Sequence, residues 1–358
     1  MPSSFGVIGS GWRAEFFLRI ARDLPEQFPL AGVVARNPDK RAELSRRWSA
    51  PTFSTLDELL AEKRPDFVVT SVSASANLEW MEALSERGVP ILSETPISRD
   101  LKELHRVVQL ERAGARIQVA EQYIFQPLHA ARLALIESGR LGTIYEADVS
   151  IAHGYHGVSL LRHFLQTGLR LPKINARRFA SRVVAGPHRN RLPTERKTVE
   201  SVRTIAQLDY GDRFGIFDFT GDQYHSWIRS PRLLVRGEEG EINQTTVRLL
   251  RSFDRPFQFE LVRRDTGQAG NLEGYSHRSI AGGGEILYEN PFPAMRWNDD
   301  EIAVATSLAR MGSYVTTGEP AYSLAEACHD CYLGQLIEQS AESGREITAE
   351  PQPWMEDR

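Results

Sequence analysis

Phe5-Gly6-Val7-Ile8-Gly9-Ser10-Gly11-Trp12-Arg13-Ala14 stands near the start of the chain, and its reading decides the fold. A short apolar run ends in glycines. A stretch follows in which Phe16, Phe17, Ile20, Ala21 and Leu24 recur on one helical face. A second apolar run, Leu30 to Val34, comes about twenty residues on. Strand, glycine turn, helix and strand in this order present backbone amides to a pyrophosphate at the positive end of the helix. Gly9, Ser10, Gly11, Trp12, Arg13 and Ala14 are therefore read as dinucleotide-binding residues.

The alternation continues. Asn37-Pro38-Asp39 supplies a cap and an early proline for the next helix. Phe67 to Thr70 is apolar enough for a strand buried on both faces. Asn77 is read as the cap of a helix ending at Gly88, Pro90 to Leu92 as a strand, Leu101 to Ala113 as a helix and Ile117 to Ala120 as a strand. Strands alternating with helices predict a parallel, doubly wound sheet. The pattern changes near Glu121, which predicts a dinucleotide-binding domain over 1–121 and an α+β domain over 122–358 for substrate and self-association. There a helix from Pro127 to Ser138 precedes a strand from Ile144 to Ile151. Alternation from Val202 to Tyr210, a Gly211-Asp212 turn and Phe214 to Phe219 predict an antiparallel sheet, continued by Leu233 to Val235. Segments 182–200 and 264–285 read as loops, and helices at Asp299–Met311 and Ser323–Ser343 are the last regular elements expected.

With 358 residues, 41% hydrophobic and 25% charged, the composition is that of a globular chain of about two domains. A net charge of −4 gives it no electrostatic reason to seek nucleic acid or anionic lipid. Two cysteines and no long apolar run point to a cytoplasmic protein without a membrane span or signal peptide. Cys328-His329-Asp330-Cys331 has the spacing of half a metal site, but no second pair accompanies it; it reads as structural and no metal is expected.

The second strand ends at Ala35-Arg36, where an NAD enzyme usually carries an acid for the ribose 2′-hydroxyl. Arg36 suits a 2′-phosphate instead, so NADP is favoured over NAD; an arginine lying over adenine is the alternative. At the end of a later strand stands Ser93-Glu94-Thr95-Pro96. This tetrapeptide, with the glycine turn upstream, resembles the glucose–fructose oxidoreductase / inositol dehydrogenase / rhizopine catabolism (Gfo/Idh/MocA) family, which carries Glu-Lys-Pro here. Gly139-Arg140-Leu141-Gly142-Thr143-Ile144, Leu234-Val235-Arg236-Gly237-Glu238-Glu239-Gly240-Glu241-Ile242 and Ser340-Ala341-Glu342-Ser343-Gly344-Arg345 resemble its later signatures in order.

The resemblance implies a Rossmann domain followed by an open-faced, mostly antiparallel sheet. It also implies a nicotinamide cofactor, sugar-like or polyol substrates, and a homodimer or homotetramer. Glu94, Pro96 and Gln122 join the cofactor-binding set on this ground. Thr95 replaces the family's lysine, and Ala152 stands where Asp-x-x-x-His has its aspartate, leaving His156 as the acid/base. Thr95 and Tyr155 complete the catalytic set, with His153 and Tyr123 as substitutes, and Pro96 is read as the site of a cis bond. The function implied is oxidation of a sugar, polyol or sugar-derived ring by hydride transfer. A redox-assisted lyase or hydrolase and a non-catalytic dinucleotide sensor are the alternatives. The arginines of 178–196 read as a solvated excursion or dimer contact, with an acidic or phosphorylated substrate as the lesser reading. Tyr224, Trp227 and Trp297 read as core or interface before sugar-stacking residues. Ile205 and Phe217, opposite in parity to Val202, Leu208 and Ile216, predict a second apolar sheet face and self-association through it.

Overall fold

The computed structural model describes residues 2–267 and 274–356. β1 (Phe5–Ile8) leads into α1 (Ala14–Asp23), β2 (Leu30–Val34), α2 (Pro38–Trp48), β3 (Thr52–Phe53), α3 (Leu56–Glu62), β4 (Phe67–Thr70), α4 (Ala74–Glu86), β5 (Ile91–Ser93), α5 (Leu101–Arg112) and β6 (Ile117–Val119). The six strands form one parallel sheet in the order β3-β2-β1-β4-β5-β6. Strand order reverses between β1 and β4, and such a switch point opens a crevice at the strands' carboxyl ends. Helix starts follow local chemistry: the Asn37 side chain accepts from the amides of Asp39 and Lys40, and Thr55 and Asp100 do the same for α3 and α5. Asn77 is not a cap. It lies inside α4, and its buried amide accepts from Thr70 Oγ1 at 2.8 Å and donates to Ser93 Oγ at 2.8 Å and the Ile97 carbonyl at 3.1 Å. An amide with three buried partners ties β4 to β5, which outweighs one cap bond.

Beyond β6 come α6 (Pro127–Glu137), β7 (Ile144–Ser150), α7 (Gly154–Leu165), β8 (Lys173–Val184), β9 (Thr198–Asp209), β10 (Phe214–Thr220), β11 (Arg232–Gly237), β12 (Gly240–Asn243), β13 (Thr246–Leu250) and β14 (Pro256–Glu260). A small sheet of β15 (Val262–Thr266), β16 (Ser276–Gly282) and β17 (Glu285–Glu289) follows, then α8 (Asp299–Thr317), α9 (Leu324–Ser343) and β18 (Ile347–Thr348). The large sheet runs β14-β13-β12-β11-β7-β10-β9-β8-β18, antiparallel except where β7 lies parallel to β10. The long β8–β9 hairpin, in register from Lys173↔Asp209 to Val184↔Thr198, claims part of the segment expected to be loop, and strands β15 and β16 claim part of the other. Residues 268–273 of that second segment lie outside the described residues. Helix α9 is not the last regular element: β18 pairs with β8 after it, and a short 3-10 helix over Pro353–Met355 follows.

Face assignment within the large sheet also differs from the parity reading. Phe217 pairs with Ala206 and, like Leu208, is buried on the face covered by α7 and α9; Ile216 pairs with Gln207 on the other face. That second face is not uniformly apolar: Asp148, Arg203, Asp218, Arg232 and Arg236 surround Ile205 and Leu234. Parity carries a face along one strand but not across a turn, where register resets it. Helix α8 packs back on the parallel sheet. Ile302, Ala305, Leu308 and Met311 are buried with Phe5, Phe17 and Ile20, and Asn298 and Glu301 close a reciprocal cap at its start. Among the described residues no helix is long and apolar enough to cross a membrane.

Candidate active site

The crevice above β1 and β4 is a cavity of about 520 Å³ lined by Gly9 to Arg13, Arg36, Trp80, Glu94 and Thr95. Gly9 has φ +127°, and a Cβ there would stand 2.0 Å from the Ser71 carbonyl oxygen, so only glycine fits. A Cβ on Gly11 would meet no protein atom within 4 Å; the space it faces is open cavity next to the first turn of α1. This cradle fits a dinucleotide's pyrophosphate. Two buried polar atoms without partners fit the rest of such a ligand: Nη2 of Arg13 and Oε1 of Gln122. Arg36 lies at the end of β2, and the side chain of Arg41 is bonded to the carbonyls of Ala35 and Arg36, bringing a second guanidinium to that corner. The acid lining this cavity is Glu94, not a residue at the end of β2.

Trp12, Arg13, Glu94 and Thr95 also line a larger cavity, of about 690 Å³, so the two spaces meet at these residues. Glu94 is occupied by the protein itself. One oxygen accepts from Arg13 Nε at 2.6 Å and the other from the Thr95 amide at 3.0 Å. Burial works against the Arg13 charge, but Glu94 outweighs it and raises the guanidinium above its ordinary value. The Thr95–Pro96 peptide is cis. Pro96 lines a separate cavity with Arg99 and Tyr155, and Ala14 is buried in the core under α1, so neither side chain reaches the crevice.

His156 is on the first turn of α7, buried, at the floor of the larger cavity. Its Nδ1 lies 2.6 Å from Oε2 of Glu121, itself buried and bonded through Oε1 to the Tyr123 amide at 3.0 Å. A carboxylate at Nδ1 selects the tautomer with the proton there, which leaves Nε2 as the basic nitrogen toward the cavity. The rings of Tyr155, Tyr123 and His153 surround the imidazole at centroid distances of 4.3, 4.7 and 5.1 Å. Burial, with His156 and Arg99 adding to it, pushes His153 down to about 4, so it is neutral near pH 7. Its Nδ1 is 2.7 Å from the Tyr224 hydroxyl, which accepts from the Tyr123 hydroxyl and the His153 amide. Burial raises the Tyr155 and Tyr123 hydroxyls far above the ordinary phenol range, so both stay protonated near pH 7 and neither is a base. Among these candidates, His156 alone combines a held tautomer with a position at the cavity floor.

Glu121 is a candidate site residue that sequence reading missed. It follows β6 directly, at the carboxyl end of a parallel strand, and that position is the signal that could have found it. The fold brings it to His156 across 35 positions of sequence, supplying the carboxylate absent at Ala152. His163 packs, with Nδ1 on the Ser159 carbonyl and its ring stacked on Tyr322. Cys328 and Cys331 are buried in α9, where burial pushes the Cys331 thiol up to about 12. Trp297 is core, donating to Asp23, Trp227 is exposed, and Tyr224 lines the larger cavity.

Residues 3–121 match the family described as oxidoreductase family, NAD-binding Rossmann fold (GFO_IDH_MocA). The chain is 30% identical over 112 residues, 31% of its length and 34% of the relative's, to a myo-inositol dehydrogenase of Streptomyces leeuwenhoekii. It is 26% identical over 116 residues to D-xylose 1-dehydrogenase (NADP(+)) 2 of Haloferax volcanii, covering 32% and 35% of the two chains. Such matches span only 34–42% of the curated relatives' own lengths. A levoglucosan dehydrogenase solved with NADH and levoglucosan superposes with a TM-score of 0.70 at 15% identity, over 97% of this chain and 99% of that one. At that identity the likeness is one of fold.

Proposed function

From the premise that this chain belongs, through residues 3–121, to the Gfo/Idh/MocA oxidoreductases, we propose that it oxidises a hydroxyl of a sugar, polyol or sugar-derived ring with a nicotinamide cofactor, NADP in preference to NAD. The observation that carries this reading is the meeting of a dinucleotide-shaped crevice with a cavity whose floor is His156 held by Glu121. The matches to a polyol and a sugar dehydrogenase support the substrate class. Residues 1–121 are the dinucleotide-binding unit, and 122–358 shape the substrate side.

Gly9, Ser10 and Gly11 let the backbone approach the pyrophosphate, while Trp12 and Arg13 stand where the crevice opens into the larger cavity, which Gln122 lines. The bound nicotinamide supplies the hydride acceptor. His156 takes the hydroxyl proton at Nε2, and Glu121 stabilises the resulting imidazolium through Nδ1. Thr95 and Tyr155 orient the hydroxyl by hydrogen bonding, since neither ionises near neutrality. A screen of sugars and polyols against NAD+ and NADP+, read by absorbance of the reduced nicotinamide, tests the reading. Oxidation of at least one of them supports it; nucleotide binding without any turnover favours a sensor.

Two expectations belong to this reading. Replacing Arg36 with Asp weakens NADP(H) by about tenfold or more while NAD(H) changes little, because a guanidinium–phosphate pair becomes a like-charge contact. Equal loss for both nucleotides, measured by fluorescence titration, would contradict the 2′-phosphate assignment. The chain also self-associates through the open face of its large sheet, where Phe179, Trp227 and Ile228 are 63–69% exposed. Light scattering at micromolar concentration then gives a dimer or tetramer; a monomer there defeats the interface.

A further inference from the structure

The hairpin joining β8 to β9 continues past the last ladder pair and folds over the larger cavity. Its closing bonds run from the Ala185 amide to the Lys197 carbonyl and between His188 and Arg191, which makes Arg189 and Asn190 the two-residue tip. Residues 185–197 carry Arg189, Arg191, Arg196 and Lys197 against one acid, Glu195. Arg189 and Asn190 line the cavity that holds His156, and neither lines the dinucleotide crevice.

Most of the charges in this cavity are already matched. Arg13 pairs with Glu94 at 2.6 Å, Arg19 with Glu301 at 2.8 Å and Arg47 with Glu15 at 2.9 Å. Asp300 accepts from Gln126 at 2.8 Å and lies in the field of Arg13. Among the described residues Arg189 has no carboxylate within ion-pair distance; its guanidinium carbon sits 3.5 Å from the centroid of the Trp12 ring. Stacking on an indole fixes the plane of a guanidinium while leaving its edge of N–H donors unspent. The edge-on partner that matches it is a carboxylate or phosphate. Arg189 lines the cavity of His156 and not the dinucleotide crevice, which places the anion at its edge on the molecule over His156; Trp12, shared by both cavities, keeps a nucleotide phosphate as the competing source.

We propose that Arg189 is a specificity-determining residue that reads a negative group on the substrate, so that the substrate is a carboxylated or phosphorylated sugar or polyol. The inference rests on the oxidoreductase reading above. A nucleotide pyrophosphate is the other source of the same chemistry, and the experiment separates the two.

D-glucose, D-glucuronate and glucose 6-phosphate serve as probes, assayed for turnover with NADP+ and for binding by calorimetry to nucleotide-loaded protein. One of the two anionic probes is expected to bind at least about tenfold more tightly than glucose, the scale of one charge-assisted contact. Arg189→Gln abolishes that ratio while leaving glucose binding and nucleotide affinity unchanged, and Arg189→Lys retains part of it. No anionic preference in the wild type overturns the proposal. A weaker nucleotide affinity in Arg189→Gln with the probe ratio intact also overturns it and assigns the arginine to the pyrophosphate. If the binding ratio and its loss hold but no sugar turns over, Arg189 keeps its role and the oxidoreductase reading falls. If glucose is oxidised with no preference for its anionic counterparts, the reverse holds.

Discussion

Replacing His156 with alanine lowers turnover by about 10²-fold or more and leaves nucleotide affinity nearly intact, the usual scale for a positioned general base. The separation of effects follows from placement: His156 lines the larger cavity and is absent from the lining of the dinucleotide crevice. The companion variant Glu121→Gln keeps the shape of the residue and removes its charge. A carboxylate 2.6 Å from Nδ1 fixes the tautomer that leaves Nε2 free and faces the imidazolium formed in the step; the amide loses that second function. Turnover falls while nucleotide affinity stays close to the wild-type value. Nucleotide affinity lost in step with turnover would mark a structural role for Glu121 instead. A nearly silent His156→Ala would pass the proton-transfer role to another group; the raised phenols of Tyr155 and Tyr123 make neither a ready base.

The second large effect is on stability. Arg162 sits on α7, six residues after His156, with its guanidinium wholly buried against α9. Its Nε meets Asp330 at 2.8 Å and its Nη2 meets the other carboxylate oxygen at 3.1 Å, while Tyr322 donates to the same carboxylate. Arg162→Leu strands a buried carboxylate, and removing one partner of such a pair costs about 3–5 kcal/mol. The urea midpoint falls accordingly. Pairing the change with Asp330→Asn recovers most of the loss, because the penalty comes from the unpaired charge. A single variant as stable as the wild type would mean that water reaches Asp330.

The parallel half was legible because its signals are local. Phe67 to Thr70 is apolar on both faces, and Asn37 with Pro38 marks a helix start by backbone chemistry alone. β8 was hidden for an equally physical reason. Lys-Ile-Asn-Ala-Arg-Arg-Phe-Ala-Ser-Arg-Val-Val is polar where the hairpin outruns the helices: beyond Ala176 it no longer buries one continuous face, and Arg178 pairs with glutamates of α9. Alternation is a readable signal only where one side of a strand is covered. Asn77 defeated the sequence reading because a capping residue type was used for buried cross-strand bonding.

The candidate site divides the same way. That Gly9, Gly11 and Arg36 line one crevice was readable, since a glycine turn between a strand and a helix has a short-range pattern. Glu121 and Arg189 were not, because each acquires its meaning from a partner far along the chain. Glu121 finds His156 through the packing of α7 against the turn at Tyr123–Phe125 that follows β6, and Arg189 reaches Trp12 only because the long hairpin curls over the cavity. No spacing rule connects either pair.

In the proposed reaction a hydride passes from the substrate carbon to the nicotinamide at the cavity above His156. The most direct measurement uses the best substrate from the screen, deuterated at the carbon bearing the reacting hydroxyl, with mass spectrometry of the nicotinamide product. Hydride transfer predicts that the deuterium appears in the reduced nicotinamide in step with oxidised product, and that both fall together in His156→Ala. Product that accumulates while the label stays out of free nucleotide, or tight nucleotide binding with no turnover of any sugar or polyol, would contradict the account.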